Sequence, residues 1–409
     1  CIRDRFNVVN FACSDDQDVS AWELRQIPYE HPKYYDPVTL ECSWNSHACI
    51  LLRTNSFRRI GGYHRGFFMY GEDVEISARF RSAGYRIKYL PFATIVHFSQ
   101  GESTKFRPLQ FKGSIYATVI LRIRYGGIRD VAESFLMLFR LFRDVKESSR
   151  RELARDAVFE ALRKVPSFFT ERLLSPGRSK CLAFFGFDYE LTREGAFVES
   201  EIIGDKGMVS IIVRTMEGRF GMLCQCIASI LNQSYQNIEI VVVQDRGFTM
   251  QEFFQNLQNT YPNLKIKYVK SNGAGRVAAG NTGLNCSSGD FLMFLDDDDY
   301  LFGDHIEMNV QAIDDADFAY TYAWDLKTDI IDMQKAEYRE EGFEFSQYFT
   351  RDHSVERLKY ENFIPIQSAL FRRSLYEQHG GFDTRLDMLE DGNLWLRFSQ
   401  TGTFKVVPK

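Results

Sequence analysis

The sequence predicts a doubly wound α/β domain over residues 206–409, and two observations lead to it. From Met208 onward, short apolar runs that suit buried strands alternate with amphipathic runs that suit helices, which is the order typical of a parallel sheet. The apolar run 291–295 is then followed at once by four aspartates, 296–299. Ligands of such sheets bind where the strands end, so this run places acid groups at the expected binding edge.

The elements of this domain are predicted in a regular order. Apolar and β-branched runs indicate strands at 209–213, 238–243, 266–269 and 291–295, and apolar residues at helical spacing indicate helices through 223–230 and 276–284. Thr215, Asp245 and Asp296 each follow one of these strands. Since the carboxyl ends of parallel strands meet at one edge, we expect these three side chains to lie close together.

The four aspartates at 296–299 would repel one another unless a cation or hydrogen-bond donors neutralise them. Their hard carboxylate oxygens favour Mg²⁺ or Mn²⁺. Taken alone, the run could also be a solvated acidic turn that caps the next helix.

Composition narrows the class of protein. A chain of 409 residues that is 44% hydrophobic is long and apolar enough for two or three globular domains. The net charge of −5 and the lack of a dense basic run argue against nucleic acid as a partner. The eight cysteines form no C-x-x-C pair, and no run approaches the ~18 apolar residues that cross a bilayer. These features indicate a cytoplasmic chain.

The first half of the chain contains a second set of elements. Residues 1–48 show no sustained period, so we assign them no role. Beyond them the sequence indicates a strand at 48–52, a helical turn at 55–60, a helix from Glu72 to Gly84, and strands at 89–91 and 93–97. Glu72 and Asp73 stand at a helix start, where acidic residues also serve as plain capping partners.

The two halves share an internal repeat. Residues 52–62 match residues 371–381, with an arginine and a Gly-Gly pair at the same spacing. An acid pair follows in each block, and a glycine lies 11 residues beyond its aspartate. These residues are Glu72, Asp73 and Gly84 in the first block and Glu390, Asp391 and Gly402 in the second. The chain therefore carries two copies of one module.

Residues 126–205, between the copies, are predicted to be a mainly helical linker. Apolar residues fall on one helical face, with Arg140 and Arg143 beside it. The residues of this face are Val131, Phe135, Leu138, Phe142 and Val145. Such a helix either packs between domains or makes a peripheral contact with a membrane that carries anionic lipids.

The motifs of the second half resemble those of the inverting family 2 glycosyltransferases, which have the GT-A fold. In order they are Val209-Ser-Ile-Ile-Val-Arg-Thr, the stretch 229–245, Gly275-Arg-Val-Ala-Ala-Gly-Asn, Gly289-Asp-Phe-Leu-Met-Phe-Leu-Asp-Asp-Asp-Asp and Leu389-Glu-Asp-Gly-Asn-Leu-Trp-Leu-Arg. They cover essentially all of 208–409. Two positions depart from the family pattern: Gln244 replaces a usual first aspartate, and Gly303 replaces a common proline.

The resemblance implies a role for each motif. Asp391 would be the catalytic base, and Asp296 and Asp298 would be the D-x-D pair that contacts ribose and a Mn²⁺ or Mg²⁺ ion. The remaining implied donor contacts in this half are Thr215, Asp245, Arg276, Asn281 and Glu390. Inverting transfer needs a carboxylate to accept the proton of the acceptor hydroxyl and a cation to stabilise the departing diphosphate. The dipole at the helix N-terminus is expected to keep Asp391 ionised.

The first half resembles the C-terminal half of family members of the rhamnosyltransferase type. The resemblance lies in Gly66-Phe-Phe-Met-Tyr-Gly-Glu-Asp-Val and Val96-His-Phe-Ser-Gln-Gly-Glu-Ser. It implies that Asp73 is a base, Glu72 a donor contact and His97 a metal or diphosphate contact. We therefore expect residues 1–125 to be the C-terminal part of a first GT-A domain whose N-terminal half is absent. Residues 206–409 are expected to be a second GT-A domain, truncated at its C-terminal end.

The leading hypothesis is a metal-dependent transfer of sugar from a nucleotide-sugar donor to an oligosaccharide or lipid-linked glycan. The product would be a surface polysaccharide such as O-antigen, capsule or cell wall, made in the cytoplasm or at the inner face of the membrane. One rival is a catalytically silent scaffold that binds sugar nucleotides or glycans. Another is a nucleotidyltransferase, which would share the metal and carboxylate site but would not explain the Leu-Glu-Asp block.

We expect one donor site per chain, in the second half, because the first copy lacks the segment that would hold a D-x-D pair. Titration with nucleotide sugars and Mn²⁺ measures the stoichiometry. Two equivalent sites, or photolabelling by a donor analogue near Asp73, would contradict this expectation.

Overall fold

The structure is a computed structural model that describes residues 2–28, 30, 34–67, 69–97, 107–174, 203–271, 273 and 275–408. The chain divides into two compact units, Cys1–Glu201 and Ile202–Lys409. Each unit contains a sheet that is central to its own core.

The first unit combines a three-stranded sheet with helices. Its described elements are α1 (Ile2–Ser14), β1 (Val19–Ile27), β2 (Ile50–Leu52), α2 (Thr54–Arg59), α3 (Glu72–Ser82), β3 (Arg86–Val96), α4 (Pro108–Tyr125), α5 (Ile128–Asp144) and α6 (Ser148–Leu174). The strand order is β2-β1-β3, with β1 antiparallel to β2 and parallel to β3. The central strand β1 is buried along its whole length.

Two strands of this unit differ from the sequence-based expectation. β1 lies in the stretch to which we assigned no element, because its buried residues include polar ones, among them Glu23 and Arg25, and so show no apolar period. β3 is one continuous strand rather than two. Pro91 has no N–H to donate to a neighbouring strand. It is tolerated because the pairing with β1 shifts register there, so no ladder hydrogen bond from residue 91 is required.

The helices α4, α5 and α6 pack around a shared apolar cluster. Ala154, Ala157 and Ala161 of α6 are fully buried in this cluster, and their small side chains allow a close approach to α4. The helices α5 and α6 fall within the predicted linker, whereas its residues 175–202 lie outside the described residues.

The second unit is a mixed seven-stranded sheet flanked by helices. Its elements are β4 (Val209–Thr215), α7 (Phe220–Leu231), β5 (Ile238–Gln244), α8 (Gln251–Thr260), β6 (Lys265–Lys270), α9 (Arg276–Cys286), β7 (Phe291–Asp296), α10 (His305–Ala312), β8 (Phe318–Thr321), β9 (Asp325–Asp332), β10 (Glu337–Glu344), α11 (Val355–Leu358), β11 (Ala369–Arg372), α12 (Arg373–His379), α13 (Glu390–Phe398) and β12 (Phe404–Val407). The strand order is β12-β8-β11-β7-β4-β5-β6. The strands β4 to β7 are parallel, as predicted, and β11 is antiparallel to both of its neighbours.

The direction of the strands brings their ends to one edge. β7 and β5 are parallel to β4, and two successive antiparallel pairings through β11 give β8 the same direction. The edge is therefore marked by Thr215, Gln244, Asp296 and Thr321, the last residues of these strands. The predicted α/β fold with a parallel sheet is confirmed, and this edge is where its ligands are expected.

The sheet of the first unit has the same topology as one end of the larger sheet. In each, a central strand pairs antiparallel with one neighbour and parallel with the other: β2-β1-β3 in the first unit and β11-β8-β12 in the second. The repeated arginines also make similar contacts. Arg53 Nε donates to the carbonyl of Val19 (3.0 Å), and Arg372 Nε donates to the carbonyl of Ala316 (3.1 Å).

The contact between α9 and β4 gives a test of this packing. A Cβ on Gly283 would stand 2.2 Å from Cγ2 of Ile212. Gly283→Ala should therefore destabilise the unit by about 1–3 kcal/mol through overpacking, although alanine raises helix propensity by about 1 kcal/mol. Urea unfolding measures the difference.

Gly204→Ala is the control, because nothing lies within 4 Å of its added Cβ. A gain in stability for Gly283→Ala would mean that α9 does not pack this closely on β4.

Candidate functional site

A buried arginine joins two of the predicted site motifs. The guanidinium of Arg214, at the end of β4, donates from Nε to Asp296 Oδ1 (2.7 Å) and from Nη2 to Asp296 Oδ2 (2.8 Å). Its Nη1 lies 3.4 Å from Oε1 of Glu390, whose Oε2 is 2.7 Å from Arg276 Nη2. The acid run and the acid pair of α13 therefore form one cluster.

The rest of the acid run is neutralised by neighbours on β4 and α7. Thr215 Oγ1 donates to Asp297 Oδ2 (2.6 Å), so the hydroxyl predicted to contact a donor holds the acid run in place. Arg219, just before α7, is hydrogen-bonded to Asp298, and its Nε lies 3.1 Å from Asp297 Oδ1. Two arginines and a hydroxyl thus provide the positive charges and the hydrogen bond that offset repulsion among Asp296, Asp297 and Asp298.

Protonation relieves the remaining repulsion. Burial, with the charges of neighbouring aspartates, raises the pKa of Asp297 to about 6, although the Thr215 hydrogen bond and Arg219 oppose the shift. Burial and the same like charges raise the pKa of Asp299 to about 8. At neutral pH the run therefore carries fewer than four negative charges.

The predicted base lies at the start of α13. Asp391 Oδ2 accepts a hydrogen bond from Asn362 Nδ2 (2.8 Å), and Oδ1 accepts one from the N–H of Gly392 (2.8 Å). Burial raises the pKa of Asp391 despite these two donors, and the charge of Glu390 adds to the rise. That the helix N-terminus keeps Asp391 ionised stays a prediction; burial is the largest cause of the shift in its pKa. A raised pKa brings a carboxylate closer to the range of an effective general base.

Asp245 is held at the end of β5. Its Oδ1 accepts hydrogen bonds from Ser271 Oγ (2.9 Å) and from the N–H of Gly275 (3.2 Å). Gln244, the departure from the family pattern, donates from Nε2 to the carbonyls of Arg246 and Phe248, both at 2.8 Å. A carboxylate could not donate these bonds, so the glutamine shapes this loop.

Asn281 has a structural contact in this unit. Its Nδ2 donates to the carbonyl of Phe382 (2.9 Å), and its Oδ1 accepts from the N–H of Phe382 (2.8 Å). These bonds join α9 to the loop before α13. A contact between Asn281 and a donor stays a prediction.

The predicted site residues of the first unit lie at the start of α3 and just after β3. Glu72 and Asp73 start α3. Burial raises the pKa of Tyr63, and the charges of Glu72 and Asp73 add to the rise. The hydroxyl of Tyr63 is 2.7 Å from Nδ1 of His47. His97 Nδ1 lies 2.9 Å from Gln26 Oε1. The roles of Asp73, Glu72 and His97 stay predictions, and the other residues of the His97 motif, 98–103, lie outside the described residues.

No group of three or more histidine, cysteine or acidic side chains that could hold a metal ion occurs in the described part of the chain. Asp296 and Asp298 nevertheless suit a hard cation chemically, because Mg²⁺ is commonly bound by one or two carboxylates together with substrate phosphates. Asp298 is accessible, with 47% of its side chain exposed. Asp298 is therefore the more open of the two carboxylates to a cation that a diphosphate completes, since both oxygens of Asp296 accept hydrogen bonds from Arg214.

Sequence reasoning missed three residues of this cluster: Arg214, Arg219 and Asn362. Arg214 could have been found, because it precedes Thr215 at a strand end inside a quoted motif. Asn362 carries no local signal, since it lies on a loop and reaches Asp391 only in the fold.

The Arg214 bridge can be tested by a double-mutant cycle. Arg214 is buried, so Arg214→Met should destabilise the unit by about 3–5 kcal/mol, because Glu390 and Asp296 would lose their buried partner. Arg214→Met with Glu390→Leu should be less destabilising than the sum of the two single changes, with a coupling of at least about 1 kcal/mol. Urea unfolding measures each variant.

The exposed pair Arg339 and Asp329 of the β9–β10 hairpin provides the control cycle, in which we expect a coupling below about 1 kcal/mol. Additive effects at Arg214 and Glu390 would mean that the two side chains are not energetically linked.

Known proteins resemble parts of this chain. Residues 210–380 match the family model described as Glycosyl transferase family 2. The uncharacterized glycosyltransferase YwdF of Bacillus subtilis (strain 168) is 29% identical over 204 residues, which is 49% of this chain and 71% of that protein. The N-acetylglucosaminyl-diphospho-decaprenol L-rhamnosyltransferase of Mycobacterium tuberculosis (strain H37Rv) is 36% identical over 62 residues, or 15% of this chain and 20% of that enzyme.

A solved structure, that of Staphylococcus aureus TarS 1–349, covers 49% of this chain and 58% of its own, with 18% identity and a TM-score of 0.39. The family match spans β4 to the end of α12 and includes the acid run. Residues 210–380 therefore match the family 2 glycosyltransferases in sequence, and the unit that contains them has a mixed α/β fold with parallel central strands.

Proposed function

We propose that the second unit is a metal-dependent, inverting glycosyltransferase that moves a sugar from a nucleotide-sugar donor to a glycan acceptor. The observation that carries the proposal is the Arg214 bridge. It connects Asp296 of the acid run to Glu390, the neighbour of Asp391. A carboxylate suited to a base and a carboxylate pair suited to a diphosphate-bound cation thus belong to one cluster at the ligand edge.

The reaction follows from these groups. The acceptor hydroxyl oxygen attacks the anomeric carbon and gives its proton to Asp391. The bond from that carbon to the diphosphate oxygen breaks, and the electron pair leaves with the nucleotide diphosphate. A Mg²⁺ or Mn²⁺ ion at Asp296 and Asp298 would neutralise charge on the leaving diphosphate. Asn362 positions Asp391, because it donates to the carboxylate oxygen that Gly392 does not contact.

The acceptor belongs to the same proposal. We infer an oligosaccharide or lipid-linked glycan from surface polysaccharide synthesis, because one relative that matches part of this chain is named for transfer to a diphospho-decaprenol carrier. The transferred sugar would be a hexose or deoxyhexose.

We also propose that the first unit is the C-terminal part of a related domain. The shared strand order and the similar contacts of Arg53 and Arg372 support this. Asp73 would then correspond to Asp391, at the start of the corresponding helix α3.

One observation favours the rival function, a silent scaffold that binds sugar nucleotides. Asp298 is already paired with Arg219, so the acid run has a partner without any metal ion. The two functions differ in turnover, and the following variants separate them.

Asp391→Asn should leave donor affinity unchanged but lower transfer by at least about 10²-fold, because only the proton acceptor is lost. Calorimetry with nucleotide sugars gives the affinity, and a transfer assay over a panel of UDP-, GDP- and dTDP-sugars gives the rate. An equal loss of binding and turnover would make Asp391 a structural cap.

The pH profile adds an independent readout. A base must be ionised, so activity should rise with pH through the pKa of Asp391, which lies above the ordinary value of 3.8. Asn362→Ala removes a donor that stabilises the carboxylate, so the acidic limb should move to higher pH. If the acidic side of the pH–activity profile did not move in Asn362→Ala, a group other than Asp391 would control it.

Asp298→Asn and Arg219→Gln should change metal binding in opposite directions. Asp298→Asn should abolish Mn²⁺-dependent donor binding while the fold stays intact, because β7 does not depend on that carboxylate. Arg219→Gln removes a cation that competes for Asp298, so Mn²⁺ alone should bind about two- to fivefold more tightly. Calorimetry with Mn²⁺, with and without nucleotide sugar, measures both.

Arg246→Gln is the matched control, since its guanidinium lies beside Asp245 rather than the acid run. If Arg219→Gln weakened Mn²⁺ binding, Arg219 would not compete with Mn²⁺ for Asp298. If Asp298→Asn left Mn²⁺-linked donor affinity unchanged, the run would be a solvated turn.

A further inference from the structure

Helix α5 of the first unit has apolar side chains on two adjacent sides. One side packs into the unit: Leu138 is buried, and Val131 and Phe142 lie against the same cluster. The face predicted from the sequence is therefore largely a packing face. Phe135, which belonged to that predicted face, instead lies at its border with solvent and is half exposed.

The second side is exposed to solvent. It carries Ile128, Phe135, Leu136 and Phe139, and the exposed fractions of Ile128 and Phe139 are 90% and 66%. Successive residues of an α-helix are rotated by about 100°, so these four side chains form one continuous stripe along the helix. Single exposed apolar residues are ordinary, but a continuous stripe of large ones is typical of a surface that contacts a membrane or another protein.

Arginines border this stripe. Arg129 and Arg140 lie along its polar edge, and Arg143 lies beside Phe139 near the C-terminal end; all three are exposed. Long arginine stems can lie along an apolar surface while the guanidinium reaches polar headgroups. Their planar guanidinium groups match phosphate oxygens in bidentate geometry.

The acidic residues of α5 do not cancel this arrangement. Asp130 accepts a hydrogen bond from the N–H of Gly127 and so caps the helix. Asp144 pairs with Arg143 in an exposed contact. Glu133 lies on the polar side, one turn from Arg129 and beside Arg140 in projection, and such exposed pairings are weak. Arg129 and Arg140 are thus the cations at the stripe's edge, and the Arg143 pair is weak in water.

We propose that α5 lies flat on a membrane surface that carries anionic phospholipids, with the stripe in the acyl boundary and the arginines at the phosphates. None of the helices in the described ranges is long and apolar enough to cross a membrane, so this contact is peripheral. The proposal rests on α5 and not on the donor site. It adds to the proposed function a reason for a lipid-linked acceptor to be nearby.

A second copy of the chain fits the stripe less well. A two-fold contact through α5 would place the same patch against itself and bring arginines of one copy near those of the other. Anionic headgroups complement the arginines instead. The charge pattern therefore favours lipid as the occupant.

Co-sedimentation of the full chain with lipid vesicles tests the proposal. We expect binding to phosphatidylcholine vesicles that contain phosphatidylglycerol, little binding to phosphatidylcholine alone, and weaker binding at high salt. Phe139→Asp should lower the partition coefficient at least about tenfold, because a carboxylate cannot enter the acyl boundary. Arg140→Gln should lower it about fivefold, and mainly at low salt.

Tyr261→Asp is the matched control, since Tyr261 is an exposed aromatic residue at the end of α8 in the other unit, and it should leave binding unchanged. Thermal unfolding confirms that each variant folds. Binding that is equal for Phe139→Asp and the wild type, or that is insensitive to anionic lipid, would overturn the proposal. Light scattering that finds a dimer disrupted by Phe139→Asp would assign the stripe to a second copy.

Discussion

The second unit depends on the buried guanidinium of Arg214. A charged group inside a protein is tolerated when its partners are close and well oriented, and Arg214 has a bidentate contact with Asp296 and a further one with Glu390. Because Asp296 ends β7 and Glu390 starts α13, the contact fixes a helix against the end of a central strand. The orientation of Asp391 follows from that of its neighbour Glu390.

The acid run illustrates how a protein can keep four adjacent carboxylates. Arg214 pairs with the first, Thr215 holds the second, and Arg219 pairs with the third. The fourth, Asp299, is kept largely protonated by burial and by its neighbours' charges, which raise its pKa to about 8. Under the proposed function, a divalent ion would compete with Arg219 for Asp298.

The two units share an arginine contact with the main chain at corresponding strands. In each, one strand pairs antiparallel with β1 or with β8, and an arginine at its end donates to a main-chain carbonyl at or just before β1 or β8: Arg53 in the first unit and Arg372 in the second. The first unit adds the helices α4 to α6, and α5 leaves an arginine-bordered apolar stripe exposed.

The sequence by itself determined the parallel strands β4 to β7 and the acid groups at their ends, because a strand buried on both faces has an apolar run that local pattern reveals. It did not reveal β1, whose buried Glu23 and Arg25 interrupt that pattern. Only the tertiary structure decided how the site is assembled. Arg214 and Glu390 are 176 positions apart, and Asn362 reaches Asp391 from a loop. Such contacts depend on the direction and order of the strands, so they leave no local trace in the chain. The raised pKa of Asp391 also depends on packing, since desolvation depends on which neighbours exclude water.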